Sequence, residues 1–186
     1  MNDRRRALMA MKKPKLPAEY QQVEYIQCEN ASGSVAYLDL PATALLRESR
    51  ITIYIKQKAT ISEDAGFLGR QDTSGAFELY YRDGVVSAYG RGISDLAVTY
   101  GDTFDVVSVT KIKYDTNEFL LMQYRPDRYF FSGRCFRAYV ELEGSRLIDL
   151  IPCYRKSDNA VGMYDIVSDT FFTSAGSGIF TKGGDV

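Results

Sequence analysis

Residues 77–89 read Phe-Glu-Leu-Tyr-Tyr-Arg-Asp-Gly-Val-Val-Ser-Ala-Tyr, and this stretch decides the fold class. Asp83-Gly84 is a turn signal, because two-residue hairpin turns need positive φ at their centre and Asp-Gly accepts it. On either side apolar and polar residues alternate, which is the period of a strand. The spacing predicts a hairpin over residues 77–82 and 85–89, with Tyr80 and Arg82 turned away from the apolar set.

The same period recurs along the chain. Residues 50–57 place Ile51, Ile53 and Ile55 on one face and Thr52, Tyr54 and Lys56 on the other. Residues 136–142 place Phe136, Ala138, Val140 and Leu142 opposite Arg137, Tyr139 and Glu141. Further strands are expected over 22–27, 35–40, 104–114, 118–124, 147–151, 162–166, 170–173 and 179–181. Asn30-Ala31-Ser32-Gly33, Asp115-Thr116-Asn117 and Glu143-Gly144 supply turns. About ten short strands and no long helical period imply an all-β fold, an antiparallel two-sheet β-sandwich, with a barrel as the structural alternative.

Composition narrows the chemistry. The 186 residues fit one domain with one core, and 45% hydrophobic against 25% charged residues excludes general disorder. Histidine is absent, which removes Ser–His–Asp and Cys–His catalysis and every zinc site that uses imidazole. Tryptophan is absent too, so tyrosine is left to grip a sugar face or a cation. Cys28, Cys135 and Cys153 form no CxxC pair; buried free thiols are the plain expectation, with a Cys135–Cys153 disulfide as the other option. No apolar run approaches the ~20 residues of a membrane-spanning helix.

Charge divides the chain in two. Arg4, Arg5, Arg6, Lys12, Lys13 and Lys15 against Asp3 alone give residues 1–15 a charge of +5, leaving −6 on residues 16–186. The apolar stretch Ala7-Leu8-Met9-Ala10-Met11 is too short for a secretory signal and fits a short helix ended by Pro14 and Pro17. The division is therefore a basic N-terminal arm, 1–15, and a sandwich domain, 16–186. A terminus without fixed structure and an arm that docks on an acidic surface both fit the first segment.

Two places in the chain carry a family resemblance. Leu16-Pro17-Ala18-Glu19-Tyr20, followed by Val23-Glu24-Tyr25-Ile26, opens the domain. Ile148-Asp149-Leu150-Ile151-Pro152-Cys153, Val161-Gly162-Met163-Tyr164-Asp165-Ile166-Val167 and Phe171-Phe172-Thr173-Ser174-Ala175-Gly176-Ser177-Gly178-Ile179-Phe180 close it. Both resemble a laminin-G-like family of concanavalin A-like lectin and glucanase sandwiches, found in gut bacterial surface proteins and their phages. Gly133-Arg134 with residues 136–140, and Phe67-Leu68-Gly69-Arg70, resemble its inner segments. The segment between Tyr114 and Gly133 is shorter than the family's pair of strands.

The resemblance implies a concanavalin A-like jelly roll; the absent histidine and the incomplete carboxylate pattern make a non-enzymatic role the expectation. One expectation is a structural or assembly protein of a phage particle, a virion decoration or tail-associated protein assembled in the host cytoplasm and anchored by its basic arm. The other is a carbohydrate-binding adhesion module on a bacterial cell or particle surface. The two are compatible. Expected partners are other virion or surface proteins and glycans, with no membrane, no nucleic acid through the acidic body, and an oligomer compatible with either role.

Candidate chemistry follows from the outward residues. Tyr54, Tyr80, Arg82, Arg137 and Tyr139 pair rings that stack on a sugar with donors for its hydroxyls; the same composition also suits a protein contact surface. Glu141-Leu142-Glu143 places two carboxylates on one strand face, as glucanase relatives do, but lacks their middle and third acids, so no catalytic residue is assigned. Gly90-Arg91-Gly92 opens no helix and is a turn. Asp165 is expected to cap a turn, calcium being the alternative; Gly176-Ser177-Gly178 is expected to close a hairpin through backbone angles open to glycine.

Overall fold

Asp83 and Gly84 adopt φ of 50° and 76°, so the hairpin forms as its residues predict. The computed structural model describes residues 15–41, 48–58, 64–69, 77–90, 93–111, 119–123 and 130–186. Fifteen strands and no helix occur among the described residues. One antiparallel sheet of five runs in the order β3 (Leu38–Leu40), β10 (Phe119–Leu121), β5 (Ala65–Gly69), β6 (Phe77–Arg82), β7 (Val85–Gly90).

The second sheet has ten strands. Its main path is β14 (Thr170–Thr173), β13 (Val161–Asp165), β12 (Ser145–Arg155), β11 (Ser132–Leu142), β4 (Arg50–Gln57), β9 (Asp105–Lys111), β8 (Ile93–Thr99). Where β11 and β12 stop pairing with each other, β1 (Tyr20–Gln22) takes the end of β12 and β2 (Ile26–Glu29) takes the start of β11. β15 (Thr181–Lys182) then pairs with β2, and Val23 bridges Asp185, so the two ends of the domain are hydrogen-bonded together.

The core lies between the sheets. Ile51, Ile53 and Ile55 of β4, Val107 and Val109 of β9 and Val140 of β11 meet Leu38, Phe67, Leu79 and Tyr81 from the five-stranded sheet. A β-sandwich is thereby established. One polar clamp crosses the gap: the Tyr81 hydroxyl donates to Asp105 Oδ2 at 2.7 Å. Lys56 Nζ and the Gly101 N–H complete it, donating to Asp105 Oδ1 at 3.0 and 3.1 Å. Burial, with the Asp105 carboxylate second, pushes the Tyr81 phenol well above its ordinary range.

Several expectations are corrected. The opening strand expected over 22–27 is two short strands on different partners, β1 and β2. β5 and β8 were not foreseen as strands: β5 is buried throughout, and β8 is interrupted by a register shift between Ser94 and Ala97. Phe136 does not share the core face with Ala138 and Val140. The register of β11 on β4 steps from Cys135↔Ile55 to Arg137↔Tyr54, a β-bulge that sends Cys135 inward and leaves Phe136 outside the core cluster.

Gly176 and Gly178 close no hairpin and have no positive φ. Ala175 N–H donates to Tyr37 O, and Gly178 N–H donates to Val35 O, both at 2.9 Å. Glycine is required there for close approach, since a Cβ on Gly176 would overlap the Val35 carbonyl. Residues 35–37 consequently meet this loop, and the strand expected over 35–40 shortens to β3. The turns expected at Asp115-Thr116-Asn117 and Gly90-Arg91-Gly92 fall wholly or largely outside the described residues, as does most of the segment expected to be trimmed.

Two stability outcomes follow. Gly162→Ala drives a Cβ into the Phe172 carbonyl across β13 and β14, and should cost about 3 kcal/mol in urea denaturation, whereas Gly184→Ala, with only ordinary contacts, should cost under ~0.5 kcal/mol. Tyr81→Phe strands the buried Asp105 carboxylate without one donor and should cost about 1–3 kcal/mol.

Candidate ligand-binding face

β4 and β11 lie side by side, so their outward residues form cross-strand pairs. Arg137 stands opposite Tyr54, and Tyr139 opposite Thr52. The Tyr54 and Tyr139 ring centroids are 6.3 Å apart. From Tyr54 the rings continue to Phe104 at 5.4 Å, then Phe136 at 5.5 Å, then Tyr25 at 5.3 Å. Five rings thus form one unbroken row on the outer face of the ten-stranded sheet. Phe136 is buried within the row, and the other four are half-buried.

Guanidinium groups line the row. Arg146 Cζ lies 3.2 Å from the Tyr139 centroid and Arg134 Cζ lies 4.5 Å from that of Tyr25. Arg137 is held in a fork on Asp149, its Nε and Nη2 donating at 2.9 and 2.7 Å. Burial alone would lower the Arg137 guanidinium, and the Asp149 carboxylate outweighs it, so the group is raised and stays charged. Burial, then the neighbouring Tyr139, pushes the Tyr54 phenol upward, which keeps it neutral and able to donate. The face therefore offers planar apolar surface beside phenol hydroxyls and paired charges.

The geometry divides the five sequence-derived residues. Tyr54, Arg137 and Tyr139 come together here. Tyr80 and Arg82 sit on β6, outward from the other sheet, with the core between the two groups. Arg82 is bound to Asp64 at 2.7 and 2.5 Å and lies 5.2 Å from the Tyr80 ring. The Arg82 donors hold Asp64 below its ordinary range. Of the arm, Lys15 is exposed; Arg4, Arg5, Arg6, Lys12 and Lys13 lie outside the described residues.

Tyr25, Phe104, Phe136, Arg134 and Arg146 join the face without having been singled out. Phe136 was hidden by the bulge and Phe104 by its position just before β9. Tyr25 lies between β1 and β2, so the alternation expected over 22–27 gave no sign of its place on this face.

The remaining candidates resolve as structure. Asp165 Oδ1 accepts from the Asp149 and Val167 N–H groups, and Oδ2 from the Ser168 N–H and hydroxyl, at 2.6–3.3 Å. It caps a turn. Glu143 has φ of 50° in the β11–β12 turn and does not share a strand face with Glu141, whose Oε2 is 3.5 Å from Arg146. The paired-carboxylate arrangement is absent from that strand. Cys135 and Cys153 are not bonded to each other; all three cysteines are buried free thiols.

Residues that carry the resemblance meet in space. Tyr20, from the opening, has its ring 4.8 Å from Tyr164 and 5.1 Å from Phe171, both from the close. Comparisons with protein-family models, with curated proteins and with solved structures each return no match.

Burial raises the thiols of Cys28, Cys135 and Cys153 from 9.0 to about 12. A group raised by folding contributes its full stability below its unfolded value and loses it as pH climbs through the folded one. The urea midpoint should accordingly fall between pH 9 and about 12. At pH 8 a thiol reagent should label none of the three in the folded chain and all three in urea.

Proposed function

We propose that this chain is a non-enzymatic assembly and recognition protein, anchored by its basic arm and presenting the ring row of the ten-stranded sheet to a partner. The setting implied by the resemblance is a virion decoration or tail-associated protein, folded as a concanavalin A-like jelly roll of the laminin-G-like kind. The observation that carries the reading is the row Tyr25–Phe136–Phe104–Tyr54–Tyr139, held with arginines on a face that is not needed for the core. Aromatic and arginine side chains are enriched where proteins meet partners, because rings bury much area for little entropy and the guanidinium offers a planar fork of donors.

A second reading, a carbohydrate-binding adhesion module, is favoured by one specific feature. Tyr54 and Tyr139 keep half-buried rings with centroids 6.3 Å apart, beside the ordered Arg137–Asp149 fork. Such a pair stacks on a sugar ring and hydrogen-bonds its edge.

The roles of arm and face separate experimentally. Deleting residues 1–15 should abolish incorporation into the native particle while the body stays folded. Tyr54→Ala and Tyr139→Ala should leave incorporation intact and weaken partner or glycan binding about tenfold each, an effect of ~1.4 kcal/mol. Tyr80→Ala, on the opposite sheet, should leave binding unchanged. Loss of binding by Tyr80→Ala alone, or incorporation indifferent to the arm, contradicts the proposal.

A further inference from the structure

Among the described residues, the two sheets end at neighbouring strands. β7 ends the five-stranded sheet and β8 ends the ten-stranded one, and the Tyr100 hydroxyl joins them by accepting from the Val86 N–H at 2.9 Å. Of the seven exposed large hydrophobics among the described residues, four lie here: Val85 at 55%, Tyr89 at 67%, Leu96 at 38% and Tyr100 at 47% exposure. Exposed apolar side chains clustered on one border mark a contact surface. Asp83, Asp95 and Asp102, all exposed, stand among them.

What covers this border is constrained by charge and shape. A second copy laid edge to edge would bring two borders of the same negative charge together. The β8 bulge, with Asp95 at φ of 54°, also breaks the straight edge that strand-to-strand pairing needs. The occupant must instead be apolar and basic. Residues 1–14 meet both requirements: Leu8, Met9 and Met11 lie between Arg4-Arg5-Arg6 and Lys12-Lys13.

The body also fixes where that arm leaves. Tyr20 N–H donates to Pro17 O, and Lys156 N–H donates to Glu19 O at 2.9 Å, pinning residues 17–20 beside the β12–β13 turn. That is four strand positions away from β8 along the sheet. The arm departs from one side of the sandwich and its complement sits on the other.

We propose that the β7–β8 border receives the basic N-terminal arm of a neighbouring copy, so that the chain associates head to tail. Such a heterologous contact repeats from copy to copy and closes into a ring or extends as a filament. The inference rests on the assembly reading and names its partner as a second copy of this chain.

Full-length charge-reversed variants test it by light scattering at low salt. One carries Arg4→Glu, Arg5→Glu and Arg6→Glu; the other carries Asp83→Lys, Asp95→Lys and Asp102→Lys. The unaltered chain should self-associate, and each variant alone should do so at least about tenfold more weakly, because arm and border then repel. Mixing the two should restore association, since each arm again finds an opposite border. Matching circular dichroism spectra keep a folding defect from imitating the loss. A monomeric unaltered chain, unchanged association in either variant, or no recovery on mixing overturns the proposal. If self-association fails while particle incorporation still needs residues 1–15, the arm docks on a different protein and the assembly reading survives.

Discussion

One additional residue in β11 governs how the outer face is built. Strand residues alternate between faces, so an inserted residue reverses the parity of everything beyond it. The insertion at Cys135–Phe136–Arg137 keeps Cys135 packed inward across from Ile55 and Ala138 packed inward across from Ile53, while Phe136 and Arg137 both stay out of the core. Without it the row of rings would lose the link between Tyr25 and Phe104, and Arg137 could not stand beside Tyr54 with its fork on Asp149. β11 is also the strand that pairs with β4, β12 and β2, so its register is transmitted directly to three neighbouring strands.

Two further devices support that arrangement. The Tyr81–Asp105–Lys56 clamp fixes one sheet against the other where hydrophobic contact alone would allow sliding, and it positions the start of β9 beside Phe104. The cluster of Tyr20, Tyr164 and Phe171 fastens the opening of the domain to its close. Conserving the core between the sheets leaves their outer surfaces to differ. One carries the ring row; the other carries Tyr80 with an Arg82 already committed to Asp64.

Strand periods and turn chemistry were legible because they are local. Asp83-Gly84 and the alternation of residues 50–57 each report on a few neighbouring residues, and both appear in the structure as expected. The bulge is not local in this sense: nothing in Cys135-Phe136-Arg137 distinguishes two successive outward residues from ordinary alternation until Ile55 and Tyr54 are placed opposite. β5 escaped notice because a strand buried on both sides has no alternation to display. The site shares this limit. Tyr54, Arg137 and Tyr139 were visible as outward residues of their strands, but membership of one sheet or the other was not, which is why Tyr80 and Arg82 could not be separated from them.

The central claim, that the β11 bulge turns Phe136 outward into the ring row, is tested most directly by proton–proton Overhauser contacts in solution. The account predicts contacts from the Phe136 ring to the rings of Tyr25 and Phe104, whose centroids lie 5.3 and 5.5 Å away, and none to Leu79 or Leu121 of the opposite sheet. Contacts from Phe136 to those core leucines, with Tyr25 and Phe104 silent, would contradict it.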